Sequence, residues 1–353
     1  MENKKIRQPF TTQSVMSYRT EIYGVAALMI IFYHLAIWAS VPGNNILPPS
    51  IHQAISLTLN QGLVGVDIFL FLSAIGLYSS MSHNDIGTFY KNRIVRVIIP
   101  WLVITIPAFI FFDFFYAKTG VVSFILDTLT INYWITPDAS APWYVPAILI
   151  LYAIFPLLYK ADKSTKHIVT TVLIVLLVAL NILLTVYSST FYDNYNIVIS
   201  RLPVFLLGIL VAQYMLDGHR IKWPFMLIVF IVTVLILALR FKVALYTHAG
   251  RMTGSILAIG IIFLYAFIRH YNVLRYLGKL FGFIGKISLE VYLVQWFIFA
   301  LINSYDLWGT LHRYWWYLII PIASVVVAKL ISLLISAVKS AITNSKNKKQ
   351  LAV

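Results

Sequence analysis

The sequence contains no cysteine, and only 11% of its 353 residues are charged. The absence of cysteine excludes a disulfide framework, a thiolate nucleophile and a zinc–sulfur site. A soluble globular protein carries roughly 25% charged residues, so this composition cannot cover a soluble surface. Apolar residues instead make up 60% of the chain, and the mean hydropathy is +0.85. These values predict that lipid covers most of the exterior.

Long apolar runs recur along the chain, separated by short polar stretches. About 20 mostly apolar helical residues span the hydrocarbon core of a bilayer. Runs of this kind lie near 22–41, 60–80, 94–117, 143–159, 168–187, 197–216, 223–240, 252–268, 281–303 and 315–338. The sequence therefore predicts an all-α polytopic membrane protein, a bundle of about ten transmembrane helices. No internal repeat is visible, which disfavours a transporter built from duplicated halves.

The distribution of lysine and arginine predicts that both chain ends lie in the cytoplasm. With ten spans and the N-terminus inside, cytoplasmic segments hold twenty of these residues and external segments hold six. Such a bias follows the positive-inside rule. It also explains the net charge of +15 without a nucleic-acid partner. The exception is the loop 240–251, which is basic although it falls outside.

One membrane domain with two short ends accounts for the whole chain. Residues 1–17 are predicted to form a cytoplasmic tail, residues 18–338 the transmembrane domain, and residues 339–353 a basic cytoplasmic tail. No linker or soluble domain interrupts this pattern. We therefore expect a multi-pass protein of the cell membrane, with the lipid bilayer as its permanent surroundings and no resident metal or cofactor.

Ionisable side chains inside a span are costly and usually functional, so they are the candidate site residues. Of the eight histidines, only His34 lies deep in a span. A neutral imidazole can act near pH 7 as a general base or as an acyl acceptor. His34 is therefore a candidate catalytic residue. The alternative is a histidine that hydrogen-bonds a neighbouring helix and only packs.

The helical period places a polar stripe below His34. At 100° per residue, Arg19, Tyr23 and His34 share a narrow face, with Arg19 about 22 Å from His34 near the cytoplasmic mouth. Such a stripe predicts one wall of a channel, with Arg19 and Tyr23 as candidate donor-binding residues. Glu21 points elsewhere and is either a catalytic carboxylate or half of a salt bridge at the helix start.

The second and third spans add a carboxylate and an arginine pair. Asp67 lies near the external end of its span, where it could orient a histidine or a sugar hydroxyl, or cap the helix start. Arg93 and Arg96 are three residues apart and project from one helical face at the cytoplasmic surface. Guanidinium groups bind phosphate with paired hydrogen bonds, so this pair suits a pyrophosphate or phosphomonoester. The alternative is a topology signal beside the membrane.

Three further residues are candidates for binding a second substrate. Trp143 and Tyr144 lie at the external entry of the fourth predicted span, where they would stack on a sugar or belong to the interfacial aromatic belt. Glu290 is an acid within the ninth predicted span, so we expect it to have a partner. Asp113 is a further intramembrane acid with no assigned role.

These elements, in this order, resemble the acyltransferase-3 family of membrane acyltransferases. The matching segments are Tyr23-Gly24-Val-Ala-Ala27-Leu with His34, Gly65-Val-Asp67-Ile-Phe-Leu-Phe-Leu-Ser73, Arg93-x-x-Arg96-x-x-x-Pro100, Trp143-Tyr144-Val-Pro146, Arg201-Leu-Pro-Val-Phe-Leu-Leu-Gly208, and Gly285-Lys-Ile-Ser288 through Tyr292-Leu-Val-Gln295. The resemblance covers roughly residues 17–338. Its specificity lies in the ordered set of segments on ten spans.

The resemblance implies transfer of an acyl group, usually acetyl, from cytoplasmic coenzyme A to a hydroxyl at the outer face. Typical acceptors of the family are polysaccharides or other envelope glycans. By this analogy His34 is the catalytic histidine, and Arg93 with Arg96 holds the phosphates of acyl-CoA. The alternative function is a transporter or flippase for a polar or lipid-linked solute, in which the buried ionisable groups would bind or relay.

Two positions depart from the family pattern. Tyr23 stands where the family commonly has arginine, and Arg19 lies one turn closer to the cytoplasm on nearly the same face. Gln295 stands where the family often has histidine. We therefore expect position 295 to pack or to hydrogen-bond, and to take no part in proton transfer.

Overall fold

The computed structural model describes residues 9–38, 49–136, 142–186, 193–242, 248–311 and 313–350. Within these ranges the chain forms α-helices with short 3-10 and π-helical turns, and no β-strand. In chain order the α-helices are α1 Thr12–Ser17, α2 Arg19–Trp38, α3 Pro49–Asn60, α4 Gly65–His83, α5 Ile86–Arg93, α6 Ile99–Phe109, α7 Val121–Thr128, α8 Asn132–Ile135, α9 Tyr144–Ser164, α10 Ile168–Val186, α11 Asp193–Ile199, α12 Leu202–Leu216, α13 Trp223–Arg240, α14 His248–His270, α15 Arg275–Lys286, α16 Ser288–Ser304 and α17 Arg313–Gln350.

The helices confirm the all-α polytopic membrane fold that the sequence predicts. By length and composition, eight helical segments of the described chain can cross a membrane, and the bent pair of α15 and α16 makes a ninth if it is one span. The apolar part of α10, Ile168–Leu184, is shorter than these. The count of ten spans and the position of the chain ends stay predictions.

The chain departs from the ninth predicted span. The stretch 281–303 is not one straight helix, because the chain leaves the helical conformation at Ile287 and α15 meets α16 at 76°. Gly285, just before the bend, lies so close to α2 that a Cβ there would collide with the carbonyl of Thr20. This contact holds α15 across α2, so α16 must turn to enter the bundle.

The described part of the N-terminal segment, predicted as a cytoplasmic tail, is folded. Helix α1 begins after a Thr11 cap and packs against α12 and α14. Phe10 and Val15 are buried in the core, and the Thr12 backbone N–H donates to the carbonyl of His219. The apolar side chains at these two positions give the segment a face to bury. At the other end, α17 continues beyond the predicted span to Gln350.

Helix α2 is the centre of the bundle. It runs for 20 residues without proline and packs against α3, α4, α15 and α16. On the side facing α15, a Cβ at Gly24 would collide with the carbonyl of Phe281, so the two backbones touch directly. Small residues permit this close approach of membrane helices. The contact fixes the position of α2 along its own axis relative to α15. Helix α2 carries Arg19, Tyr23 and His34.

A second direct backbone contact joins α12 to α4. A Cβ at Gly208 would lie 2.6 Å from the carbonyl oxygen of Phe71 and 2.7 Å from the Cβ of Ala74. We therefore expect Gly208→Ala to lower the free energy of unfolding by about 1–3 kcal/mol, the usual cost of overpacking a core. The measurement is the thermal unfolding midpoint in detergent. The control is Gly309→Ala, where nothing lies within 4 Å. Equal midpoints for the two variants would contradict the contact.

Candidate active site

One cavity with a polar lining, here called the arginine cavity, has a volume of about 340 Å³. Its charged lining residues are Arg19, Arg93, Arg96, Lys286 and Glu290. Four cations therefore face one carboxylate. Serine and tyrosine hydroxyls complete the polar wall. A cavity of this composition is suited to a ligand that carries several negative charges.

Three separate elements bring the arginines to this cavity. Arg19 is the first residue of α2, Arg93 is the last residue of α5, and Arg96 lies in the π-helical turn Ile94–Ile98 between α5 and α6. Single π-turns inside helices occur frequently at functional sites. The sequence spacing predicts a shared face for Arg93 and Arg96, but nothing in it indicates the widened turn.

Arg93 is half-buried and held by weak contacts. Its guanidinium lies 5.6 Å from the ring centre of Phe89 and 5.9 Å from that of Tyr152, and Nη2 lies 3.5 Å from the hydroxyl of Ser80. Its Nε is buried and has no hydrogen-bond partner among the described residues. A buried donor without an acceptor is costly, so this atom is available to a ligand oxygen.

The second cavity, here called the histidine cavity, has a volume of about 100 Å³. Its polar lining includes His34, Trp143, Arg201 and Arg251. Three further residues, Ile30, Val66 and Tyr292, line both cavities. The two cavities are therefore neighbours, separated by the thickness of these side chains.

His34 is held by a single amide side chain. The Oε1 and Nε2 atoms of Gln295 lie 3.1 and 3.0 Å from Nδ1 of His34, and the ring of Phe299 stands edge-on at 5.8 Å. Gln295 is fully buried on α16. The expectation that position 295 forms a hydrogen bond is confirmed. A neutral imidazole that donates its Nδ1 proton to the Gln295 carbonyl carries its lone pair on Nε2.

Within the described residues, the Asp67 side chain has Ser255 and Arg201 as its hydrogen-bond and ion-pair partners, and His34 is not among them. Val64 is the residue at the start of α4, and no side chain caps it. The Asp67 carboxylate accepts from the Ser255 hydroxyl at 3.0 Å and lies 3.8 Å from Nε of Arg201. The buried acid therefore supports Arg201, which lines the histidine cavity. A catalytic role for Asp67 stays a prediction.

Glu21 forms an ion pair between helices. Its two oxygens accept from Nε and Nη2 of Arg269 at 2.6 and 3.0 Å, and the Tyr265 hydroxyl donates to it at 2.8 Å. Both partners lie on α14, and Glu21 is not among the residues that line the arginine cavity. The salt-bridge alternative for Glu21 is the one that this geometry supports. Asp113 likewise has a local partner, because it accepts from the Thr119 hydroxyl at 2.9 Å.

The structure brings together the predicted donor-site residues and divides the predicted acceptor-site residues. Arg19, Tyr23, Arg93 and Arg96 line one cavity. The three acceptor candidates separate, since Trp143 lines the histidine cavity whereas Tyr144 and Glu290 line the arginine cavity. Trp143 and Tyr144 are consecutive residues at the start of α9, so their side chains point in different directions.

Several polar or charged residues of the two cavities were not predicted from the sequence, and five of them bear on the site. They are Tyr152, Arg201, Arg251, Lys286 and Tyr292. Lys286, Arg201 and Tyr292 belong to the family-like segments, and Arg251 belongs to the basic external loop. Membership in those segments and in that loop was the sequence signal that could have indicated these four residues. Tyr152 gave none, because one tyrosine in an apolar run is ordinary.

A family model of acyltransferase-3, described as an acyltransferase domain, matches residues 24–339, which is most of the chain. The chain therefore belongs to the acyltransferase-3 family and is a membrane acyltransferase. Neither a curated protein nor a solved structure matches it significantly.

The partners of Glu21 generate a prediction that separates a structural role from a catalytic one. Glu21→Gln removes the charge that Arg269 pairs with, so we expect the free energy of unfolding to fall by about 1.5–3 kcal/mol, the scale of a charge-assisted hydrogen bond. Activity per folded molecule should be unchanged. Thermal unfolding in detergent and activity normalised to folded protein measure the two quantities.

Asp217→Asn is the matched control for Glu21→Gln. Asp217 lies 3.9 Å from His219 with both side chains half exposed, and exposed pairs of this kind contribute little. The free energy of unfolding of the Asp217→Asn protein should stay at the wild-type level. A Glu21→Gln protein with full stability and no activity would show that Glu21 is catalytic.

Proposed function

We propose that the protein transfers an acyl group, specifically acetyl, from cytoplasmic acyl-CoA to a hydroxyl of an extracytoplasmic envelope glycan or polysaccharide. The observation that carries this proposal is the shared wall between a cationic cavity and the cavity that holds His34. A donor bound in one cavity can then meet an acceptor bound in the other.

The arginine cavity supports acyl-CoA as the donor. Coenzyme A carries a pyrophosphate and a phosphomonoester, and arginine forks bind such groups with paired hydrogen bonds. A volume of about 340 Å³ lies at the lower end of the range for ligand pockets. Arg96 and Lys286 are exposed at its edge, so the cationic surface continues beyond it. The cavity can hold part of the donor while the phosphates contact this edge.

The shared wall supplies the route for the acyl group. Ile30 lines both cavities and lies one helical turn before His34 on α2. Four residues of helix correspond to about 6 Å along the axis. An acyl thioester that extends from the arginine cavity past Ile30, Val66 and Tyr292 would therefore approach the imidazole.

Acyl transfer at this point needs one base and no further cofactor. The acceptor oxygen forms a bond to the acyl carbon, the carbon–sulfur bond of the thioester breaks, and coenzyme A leaves as a thiolate. We assign His34 Nε2 to take the hydroxyl proton during the attack and to return it to the departing sulfur. Gln295 acts as a positioning residue, because its contact with Nδ1 holds the ring.

The charge distribution supports the direction of transfer. Under the positive-inside rule, Arg93, Arg96 and Lys286 belong to cytoplasmic ends of spans, where acyl-CoA is made available. His34 and Trp143 lie toward the opposite side of the same orientation. A cell-membrane location with the acceptor outside follows from this arrangement.

The arginine pair generates a prediction about donor affinity. Arg93→Ala and Arg96→Ala should each weaken acetyl-CoA binding by about 1.5–3 kcal/mol, the scale of a hydrogen bond to a charged group. Lysine at either position should restore affinity only in part, since it lacks the planar fork. Binding to detergent-solubilised protein can be measured calorimetrically. Lys91→Ala is the matched control, because Lys91 is exposed nearby on α5 and does not line the cavity.

Wild-type affinity in both alanine variants would show that the arginine pair is only a topology signal. Equal weakening by Lys91→Ala would show a general charge effect and no specific phosphate site.

The experiment that tests the proposed function concerns His34. General-base catalysis contributes typically 10²- to 10⁴-fold, so His34→Gln should lower the rate of acyl transfer by that factor while leaving acetyl-CoA affinity intact. The measurement is the content of ester-linked acyl groups in envelope glycans of cells that express each variant. His219→Gln, at a half-exposed histidine outside both cavities, is the control.

Retention of more than about a tenth of the transfer rate by His34→Gln would overturn the catalytic assignment. Absence of any ester that depends on the wild-type protein would overturn the proposed reaction itself.

A further inference from the structure

The basic loop 240–251 is an exception to the positive-inside pattern. The proposed reaction does not explain this exception. The structure shows where these arginines point. Arg240 is 1% exposed and Arg201 is 6% exposed, and Arg251 lines the histidine cavity with Arg201. These arginines therefore face the interior of the bundle, where they cannot serve as solvated topology signals.

Within the described residues, the positive charges of Arg201 and Arg240 are only partly balanced. Arg201 and Arg240 share a single nearby carboxylate, that of Asp67. Arg240 is otherwise held by neutral acceptors, the Gln61 amide oxygen at 2.7 Å and the Thr253 hydroxyl at 3.0 Å among them. Buried charges are normally paired, so an excess of buried arginine calls for a further anion.

The histidine cavity is the place where such an anion can bind. No aspartate or glutamate is among its described lining residues, whereas Arg201, Arg251 and His34 are. Nε of Arg201 is buried and makes no hydrogen bond within the described ranges, because its ion-pair partner, the Asp67 carboxylate, lies 3.8 Å away. The Arg201 guanidinium lies 5.0 Å from the Trp143 ring centre, and Nη1 donates to the Ile197 carbonyl at 3.0 Å. These contacts hold the plane of the guanidinium at the cavity.

We infer that Arg201 and Arg251 form a binding site for an anionic group of the acceptor, a carboxylate or a phosphate, next to the hydroxyl that receives the acyl group. The inference rests on the proposed acyl transfer and adds the chemical class of its acceptor. Guanidinium groups recognise both oxoanions with paired hydrogen bonds. A cavity of about 100 Å³ leaves room for little more than this group and the adjoining hydroxyl beside His34.

The test compares envelope glycans from cells that carry the wild type, Arg251→Gln, Arg201→Lys or Lys242→Gln. The protein-dependent acyl ester should be found on a saccharide that anion exchange retains. Arg251→Gln should reduce ester formation at least tenfold at equal protein level and unchanged acetyl-CoA affinity, and Arg201→Lys should reduce it less. Lys242→Gln should have no effect, because Lys242 is an exposed residue of the same loop and lines neither cavity.

Phosphatase treatment of the acylated saccharide distinguishes the two sources of charge. Loss of retention identifies a phosphomonoester, persistence identifies a carboxylate or a phosphodiester, and either result supports the inference. An ester found only on neutral saccharides, or wild-type transfer by Arg251→Gln, would overturn it while leaving the acyltransferase proposal standing. Absence of any protein-dependent ester would overturn both.

Discussion

The direct backbone contact between α2 and α15 is the constraint on which the two cavities depend. At Gly24 and Gly285 even one added carbon atom would collide with the facing helix. This contact sets the position of α2 along its own axis. Helix α2 supplies Arg19 and Tyr23 to the arginine cavity and His34 to the histidine cavity. The bend at Ile287 follows from the same contact, and it turns α16 so that Gln295 reaches His34.

The buried charged groups around the two cavities differ in how far other residues satisfy their hydrogen bonds. A membrane protein must satisfy its buried polar groups internally, because lipid offers them no hydrogen bonds. Glu21 and Asp67 are acids of this kind, each held by an arginine and a hydroxyl on other helices. Arg93 and Arg201 each keep a buried Nε without an acceptor in the described part of the chain. Unsatisfied donors thus lie beside both cavities, where ligands can complete them.

The residues of the candidate site differ in how far the sequence alone could place them. The helical period brings Arg19, Tyr23 and His34 to one face, and the structure shows all three on cavity walls. The helical period could not predict the partners of Glu21 and Asp67. These partners lie on α14 or directly before α12, far along the chain from the two acids. Long-range contacts depend on how helices cross, and local spacing carries no such information.

The sequence by itself determined the membrane class, the apolar helices and the candidate histidine, because composition and period are local properties that lipid and the helix impose directly. Only the tertiary structure decided that Trp143 and Tyr144 enter different cavities, that Arg201 is supported by Asp67, and that Ile30 separates the two cavities. The physical reason is that a cavity is the space left between helices from distant parts of the chain. Its shape depends on their crossing, which packing at residues such as Gly285 fixes.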